Sequence, residues 1–136
     1  GGLLPAFTRM GTYLLFKTAL DSVLREIAII RVGVLSKATY EVYQHERIGR
    51  DLGMSEALIQ AVHAGPEAAA FAPLQRLVML YTDDVVRNVR ASDATFKPLQ
   101  QHLSVQELQE LTITIGYYMM VSRFLETFDV EIEAKS

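Results

Sequence analysis

The chain has 136 residues, of which 50% are hydrophobic and 21% are charged, and it contains no cysteine. This composition suits one folded domain over residues 1–136 and argues against disorder. The net charge of −3, without a lysine or arginine cluster, excludes the electrostatic footprint of a nucleic-acid-binding protein. The absence of cysteine excludes disulfides, thiolate metal sites and thiol redox chemistry by these residues.

No segment has the pattern of a signal peptide or a membrane span. The N-terminus lacks a basic region followed by an apolar core, and the longest uncharged stretch, residues 111–122, is too short to cross a bilayer. A disulfide-free chain is typical of a reducing compartment. We therefore expect a cytoplasmic protein that has neither nucleic acid nor a membrane as a partner.

Helix signals recur along the chain, whereas no long segment has the alternation of a half-buried strand. After a short apolar segment at residues 7–16, the pattern predicts helices over residues 22–35, 38–52, 55–64 and 73–89, from residue 92 onward, and over 105–128. The sequence therefore predicts an all-α fold, a single-domain bundle of about six to seven helices.

Residues that favour helix ends define these boundaries. Asp21 or Ser22 can cap the first long helix, where a side-chain oxygen accepts from a free backbone N–H. Ser104 and Glu107 have the spacing of a capping box, in which each side chain binds the backbone N–H of the other residue. Pro98 either kinks the helix that contains it or divides that helix in two.

Two polar residues lie where a helical projection expects apolar ones. At about 100° per residue, Glu26 has valine, isoleucine and glycine as its surface neighbours, while Arg25 and Arg31 point elsewhere. His45 lies on a similarly apolar face of the next helix, with Glu41 one turn before it on the same face. A buried carboxylate costs several kcal/mol unless it is paired, hydrogen-bonded or protonated.

A short connection at residues 36–37 makes these two helices an antiparallel hairpin, so that Glu26 and His45 can face each other. An imidazole titrates near neutral pH, and a neighbouring carboxylate fixes its tautomer and raises its pKa. The pair is therefore a candidate acid/base site, with His45 as the catalytic residue and Glu26 orienting it. The residues alone leave two alternatives: His45 is a satisfied core histidine, or Glu26 forms a structural ion pair with Arg31 or Arg123 or across a subunit interface.

Five segments around these residues carry a family resemblance. They are LREIAIIRVG at residues 24–33, YEVYQH at 40–45, LGMSE at 52–56, SDATF at 92–96 and GYYMMVSRF at 116–124. Together they resemble the carboxymuconolactone decarboxylase-like family of the alkylhydroperoxidase D-like superfamily. The match spans nearly the whole chain in a consistent order, which implies the all-α fold of that superfamily.

In the thiol peroxidases of that superfamily, a glutamate, a Cys-x-x-Cys pair and a histidine form a proton relay. The resemblance places Glu26 and His45 at the glutamate and histidine positions, and Ala38 and Glu41 at the two cysteine positions. It therefore implies the relay without its nucleophile. Peroxidase and disulfide-exchange activities are excluded because neither residue can form a thiolate.

The decarboxylase branch needs neither a thiol nor a metal and acts on a small anionic lactone. By this resemblance, His45 donates a proton to the carbanion that is left when CO₂ departs, and no cofactor or metal is expected. An arginine is expected to hold the anionic substrate by charge-assisted hydrogen bonds. The candidate substrate-binding residues are Tyr40, Glu41, Arg31, Arg123 and Tyr117, with Arg47 and Tyr118 as further candidates.

Two functions therefore compete: a cofactor-free, decarboxylase-like lyase or isomerase that acts on a small lactone or keto acid, and a non-catalytic oligomeric binding or scaffold protein. The helix at residues 23–35 is apolar nearly all round and the last helix has two apolar faces, which predicts a homo-oligomer. The family resemblance implies a trimer or hexamer. Gly116, in the middle of the last helix, is expected to allow the close approach of a neighbouring helix.

Overall fold

The structure is a computed structural model that describes residues 1–129, so residues 130–136 of the predicted domain lie outside it. Within that range the chain forms seven α-helices: α1 (Leu3–Phe16), α2 (Ser22–Leu35), α3 (Thr39–Asp51), α4 (Glu56–Ala64), α5 (Pro73–Asn88), α6 (Asp93–Gln100) and α7 (Val105–Thr127). None of the described residues is in a strand. The all-α prediction is confirmed, with the helix number at the upper end of the predicted range.

Capping residues fix the helix ends. The Asp21 carboxylate accepts hydrogen bonds from two backbone N–H groups in the first turn of α2, and the Ser55 hydroxyl accepts one in α4. Ser104 and Glu107 form the reciprocal capping box at the start of α7. Gly53 has a φ of +96°, in the region that favours glycine just after a helix. These contacts satisfy backbone groups that helix ends leave free.

Two elements differ from the sequence-based expectation. The apolar segment at residues 7–16 belongs to a full helix, α1, which has Leu14 as its buried residue and is otherwise largely exposed. Of the two alternatives for Pro98, the division of the helix is wrong, because α6 continues past Pro98 to Gln100. Because α6 is only eight residues long and ends just after Pro98, the proline removes a single backbone hydrogen bond from it.

Helix α2 is the central element of the bundle. It packs against α3, α4, α5 and α7. Its residues Ile27, Ile29 and Ile30 are at most 1% exposed. A helix covered on every side needs apolar residues all round, which is the pattern that the sequence of α2 has. Any charged residue on α2 is therefore taken out of water when the bundle forms.

The close packing of α2 on α3 depends on Gly33. A Cβ atom at this position would lie 2.8 Å from Val42 Cγ2, which is too close for two carbon atoms, so a side chain there would displace the Val42 side chain or move the two helices apart. Gly116 differs, because a Cβ atom there would meet nothing within 4 Å. The prediction that Gly116 allows a close helix approach is therefore wrong for the described chain.

Helix α7 has two apolar faces. Its inner face packs on α2 and α5, while its outer face exposes Ile113, Met120 and Phe124. Glu110 joins α7 to the connection between α1 and α2, because its Oε1 atom accepts hydrogen bonds from the backbone N–H groups of residues 19–20 at 2.9 and 3.0 Å. Neither α7 nor any other helix within residues 1–129 has the length and apolarity that crossing a membrane requires.

Candidate functional site

Glu26 and His45 form a buried acid–imidazole pair. Glu26 on α2 and His45 on α3 meet between the two helices, with 2.6 Å between Glu26 Oε1 and His45 Nδ1. Glu26 is 0% exposed and His45 is 5% exposed. The contact across the α2–α3 hairpin that the short connection predicts is therefore confirmed.

A third charged group, Arg25, lies beside Glu26, on the side away from His45 Nδ1. Its Nε atom donates a hydrogen bond of 2.7 Å to Glu26 Oε2, and its Nη1 atom donates one of 2.7 Å to the carbonyl of Leu15. The helical projection directs Arg25 away from Glu26, because adjacent helix residues diverge. The arginine side chain is long enough to fold back across that angle. Sequence reasoning missed this residue, and its only signal was a charge on a helix that is apolar nearly all round.

Glu41 faces the other nitrogen of the imidazole. Its Oε2 atom lies 3.2 Å from His45 Nε2, close enough for an ion pair but outside hydrogen-bond alignment. Glu41 Oε2 is therefore a buried oxygen without a hydrogen-bond partner, in a residue that is 7% exposed. Because Glu41 and His45 are one turn apart on α3, the helix itself fixes their separation.

Tyr118 of α7 packs against the imidazole. The two rings are T-shaped, with 5.0 Å between their centroids and an angle of 79°. Burial raises the pKa of Tyr118 above its ordinary value, and the charges of Glu41 and Glu26 raise it further. The phenol is therefore neutral at physiological pH. We call the five residues Arg25, Glu26, Glu41, His45 and Tyr118 the His45 cluster.

His45 carries a positive charge at neutral pH. Burial lowers the pKa of the imidazole, but the hydrogen bond with Glu26 and the nearby negative charges of Glu26 and Glu41 outweigh burial and raise this pKa from 6.5 to about 9. The cluster therefore holds charges of alternating sign, in the order Arg25, Glu26, His45 and Glu41. Each charge lies beside one of opposite sign, which reduces the cost of burying the group.

We expect the stability that His45 contributes to decline as the pH rises from about 6.5 to about 9. The folded protein binds the imidazole proton more tightly than the unfolded chain does, so the contribution is complete below the unfolded pKa and is lost once the folded pKa is passed. Urea unfolding of the wild type and of His45→Gln at a series of pH values measures it. The difference in unfolding free energy between the two proteins should change across this range, and a constant difference contradicts the raised pKa.

Arg31, a predicted substrate-binding residue, is not brought to the His45 cluster. Its Nε and Nη2 atoms donate hydrogen bonds of 2.7 and 3.0 Å to the two carboxylate oxygens of Asp83, and its Nη1 atom donates one of 3.0 Å to the carbonyl of Val62. Both charged side chains are buried. Arg31 thus joins α2 to α4 and α5 through a buried ion pair, and its role in substrate binding stays a prediction.

Tyr117, another predicted binding residue, connects the cluster to α1. Its hydroxyl donates a hydrogen bond of 2.7 Å to the carbonyl of Phe7, and its ring packs T-shaped on Tyr118 at 5.1 Å. Burial raises the pKa of Tyr117, and the charge of Glu41 adds to this effect. A Cβ atom on Gly11 would lie 2.6 Å from the Tyr117 hydroxyl, so this glycine lets α1 lie over the phenol.

Three further candidates point away from the imidazole. Arg123 is exposed and donates a hydrogen bond to a carbonyl of its own helix. Tyr40 accepts a hydrogen bond from the Gln44 amide, one turn along α3. The guanidinium of Arg47 lies over the ring of Tyr43, 5.8 Å from its centroid. Of the predicted binding residues, the structure therefore brings Glu41 and Tyr118 into the cluster and Tyr117 to its edge.

The clearest surface cavities of the described chain do not reach the acid–imidazole pair. Four cavities have neither Glu26 nor His45 in their walls. The largest, of about 750 Å³, lies between α5, α6 and α7 and is lined mainly by apolar side chains such as Tyr81, Phe96 and Leu108. None of these four cavities therefore gives a small molecule access to the Glu26–His45 pair.

The helical bundle, with a glutamate–histidine contact across its α2–α3 hairpin, defines the class of protein: the fold is alkylhydroperoxidase D-like. The chain belongs to the carboxymuconolactone decarboxylase family, whose pattern it matches over residues 2–84. That range contains α1 to α4 and most of α5, and therefore the whole hairpin that carries the buried pair. A comparison with curated proteins found no match.

Solved structures support this fold. A protein of unknown function from Agrobacterium tumefaciens, described as a candidate antioxidant defence protein AhpD, superposes with a TM-score of 0.90 at 20% identity, over 97% of this chain and 91% of that one. An uncharacterized peroxidase-related protein from a Silicibacter species superposes with a TM-score of 0.87 at 19% identity, over 97% of this chain and 71% of that one. At this level of identity, the likeness concerns the fold alone.

Proposed function

We propose that this protein is a decarboxylase-like lyase or isomerase that moves protons on a small anionic lactone or keto acid at the His45 cluster. The observation that carries the proposal is the buried chain Glu26–His45–Glu41, in which both nitrogens of one imidazole face carboxylates. Burying several charges together costs desolvation energy that apolar residues of similar volume would avoid. Charged groups retained at such a cost are frequent at sites of acid/base chemistry.

In the proposed reaction, the charged imidazole of His45 is the source of the proton. The bond between the substrate carbon and its carboxylate breaks, CO₂ leaves, and the electron pair remains on the carbon. That carbon then takes a proton that originates on His45. The imidazole afterwards regains a proton from water. Glu26 holds the Nδ1 side and keeps the ring oriented. Every step uses protein acids and bases, so the proposal invokes no cofactor.

The proposal does not include thiol chemistry. Descriptions of the structural neighbours refer to antioxidant defence and peroxidase relatives. A thiol peroxidase needs a cysteine thiolate as its nucleophile, and this sequence contains no cysteine. Proton transfer is the part of that chemistry which the residues of the His45 cluster can still perform.

The test is a panel of small β-keto acids and carboxylated lactones, assayed for CO₂ release. We expect turnover by the wild type and a loss of about 100-fold or more in kcat for His45→Gln. His63→Gln is the matched control, because His63 also pairs with a glutamate, Glu46, but at the surface. Equal rates for the wild type and His45→Gln on the best substrate, or no turnover by the wild type on any substrate, would contradict the proposal.

A non-catalytic oligomeric scaffold is the second candidate function. It is favoured by the absence of His45 from the walls of the four cavities, and by the exposed apolar residues Ile113, Met120 and Phe124 on the outer face of α7. In that case Glu26 and His45 serve stability alone. His45→Gln would then lower the melting temperature without altering any chemistry, so the assay above, together with thermal unfolding, separates the two functions.

A further inference from the structure

We propose that the outer face of α7 binds the same face of a second copy of this chain, so that two α7 helices cross in antiparallel directions at Gly116. The inference goes beyond the proposed function, because this face contains no residue of the His45 cluster. Three observations carry it: an exposed apolar stripe along α7, a glycine in the middle of the stripe, and a cavity on one side of the glycine that faces protruding side chains on the other side after a two-fold rotation.

Six exposed residues recur along the outer face of α7 at intervals of three or four positions. We call them the outer stripe: Val105, Gln109, Ile113, Gly116, Met120 and Phe124. At about 100° per residue they lie within roughly 100° of one another around the helix, which is the width of a face that packs on a neighbour. None of the six is charged, and residues 111–122 contain no charged residue at all. This pattern is typical of a helix that another helix covers.

Gly116 marks the point at which the two helices meet. A glycine inside a helix destabilises it relative to alanine, and this cost is offset where the missing side chain lets another backbone approach closely. A Cβ atom on Gly116 would meet nothing within 4 Å, so no element within residues 1–129 makes such an approach. A helix of a second copy can make it. With no side chain at the crossing point, the helix axes can come to the lower end of the roughly 8–10 Å at which helices pack.

The outer stripe is self-complementary under a two-fold rotation about an axis through Gly116. The rotation reverses the second helix, so that residues before the glycine in one copy face residues after it in the other. The half before the glycine borders the cavity of about 750 Å³ between α5, α6 and α7, whose walls include Val105 and Ile113. The half after the glycine exposes the side chains of Met120 and Phe124. The rotation therefore places these two side chains of each copy over the cavity of the other.

The chemistry of α7 fits a second copy better than a membrane surface. Helices that lie on membranes are rich in lysine and arginine, whereas α7 has one arginine and three glutamates. Val105 and Ile113 are 74% and 53% exposed, so the cavity beside them is open to side chains that approach from outside. Because each copy has one such cavity and one pair of protruding side chains, a two-fold dimer uses both.

The face is also large enough for a stable dimer. Stable interfaces bury on the order of 800 Å² on each side. The 23 residues of α7 make it about 35 Å long, and a helix is roughly 10–12 Å across. The outer stripe and the α6 side of the cavity together therefore offer an area of this order. Methionine and aromatic residues, which are enriched at the centre of interfaces, occupy the stripe at Met120 and Phe124.

The first test is the mass in solution, measured by sedimentation velocity over a series of micromolar concentrations. We expect an even number of subunits, and we expect Met120→Glu, which puts a charge into the stripe, to halve that number. Phe16→Glu is the matched control, because Phe16 is 78% exposed on α1 and lies outside the stripe. A monomeric or trimeric wild type, or dissociation by Phe16→Glu but not by Met120→Glu, would overturn the inference.

The second test uses Gly116→Ala, for which two measurements should change in opposite directions. Alanine favours the helix and its Cβ meets nothing within the described chain, so urea unfolding of the subunit should shift to a higher midpoint in the Met120→Glu background. At the crossing point the same Cβ separates the helices, and we expect the dissociation constant of the dimer to rise by about 10-fold. An unchanged or lower dissociation constant would contradict a crossing at Gly116.

The third test uses the lack of cysteine in the chain, which makes any introduced thiol unique. We expect Gly116→Cys to form a disulfide-linked dimer under mild oxidation. A two-fold axis brings position 116 of both copies together, within the roughly 4.4–6.8 Å between Cα atoms that a disulfide spans. Phe16→Cys should stay unlinked under the same conditions. Efficient cross-linking of Phe16→Cys without cross-linking of Gly116→Cys would place the contact on α1 and overturn the inference, and circular dichroism establishes that each variant is folded.

Discussion

Replacing Glu26 with alanine is expected to lower the free energy of unfolding by about 3–5 kcal/mol. Glu26 is completely buried and its two oxygens bind Arg25 and His45, so its removal takes the counter-ion from two buried cations. His45 keeps a contact with Glu41, whereas Arg25 keeps only the carbonyl of Leu15. Urea unfolding at pH 7, followed by circular dichroism, measures the loss.

The matched control for this prediction is Glu46→Ala. Glu46 also pairs with an arginine and a histidine, Arg50 and His63, but both partners are well exposed. Water solvates these partners after the substitution, so a surface pair of this kind contributes little. We expect the loss for Glu46→Ala to be several times smaller than that for Glu26→Ala. Similar losses for the two variants would contradict the burial-based argument.

The second large effect is expected at Arg31, where replacement with alanine should cost about 3–5 kcal/mol. The guanidinium makes two hydrogen bonds with Asp83 and one with the carbonyl of Val62, and its loss leaves a buried carboxylate facing a void. Arg87 lies 3.7 Å from Asp83 but is itself largely exposed, so it compensates little. Chemical unfolding again measures the change.

A double variant separates the ion pair from its individual charges. Arg31→Met combined with Asp83→Leu replaces the pair by apolar residues and should recover most of the stability that Arg31→Ala loses, because no buried charge remains unpaired. Arg123→Ala, at an exposed arginine, should leave stability nearly unchanged. If Arg31→Ala retained full stability and weakened only substrate binding, the ion-pair argument would be contradicted and the prediction of a substrate-binding arginine would be supported.

Much of the fold could be predicted from the sequence because the relevant signals are local. Asp21 and the pair Ser104 and Glu107 mark helix starts through backbone contacts within one turn, and those contacts occur in the structure. The pairing of Glu26 with His45 could also be predicted, since helix periodicity and a short connection together determine which faces of a hairpin meet.

The parts that could not be predicted depend on the ends of long side chains and on packing between distant helices. Helix periodicity gives the direction of a Cα–Cβ bond, not the position of a guanidinium several bonds further on. Arg25 therefore folds onto Glu26, although the helical projection of its Cα–Cβ bond points elsewhere. Arg31 forms an ion pair with Asp83, which is 52 residues away in the chain. Gly116 illustrates the same limit, because a glycine in mid-helix does not indicate whether a neighbour lies beside it.

Gly33 connects the spacing of the hairpin to the chemistry of the acid–imidazole pair. A β-carbon at this position would lie 2.8 Å from Val42 Cγ2, so either the Val42 side chain would have to rotate or α3 would have to move away from α2. Glu26 and His45 lie on the same two helices, with 2.6 Å between Oε1 and Nδ1. A glycine two turns from the carboxylate, which exchanges no proton itself, therefore leaves room for the helix spacing at which the acid and the base meet.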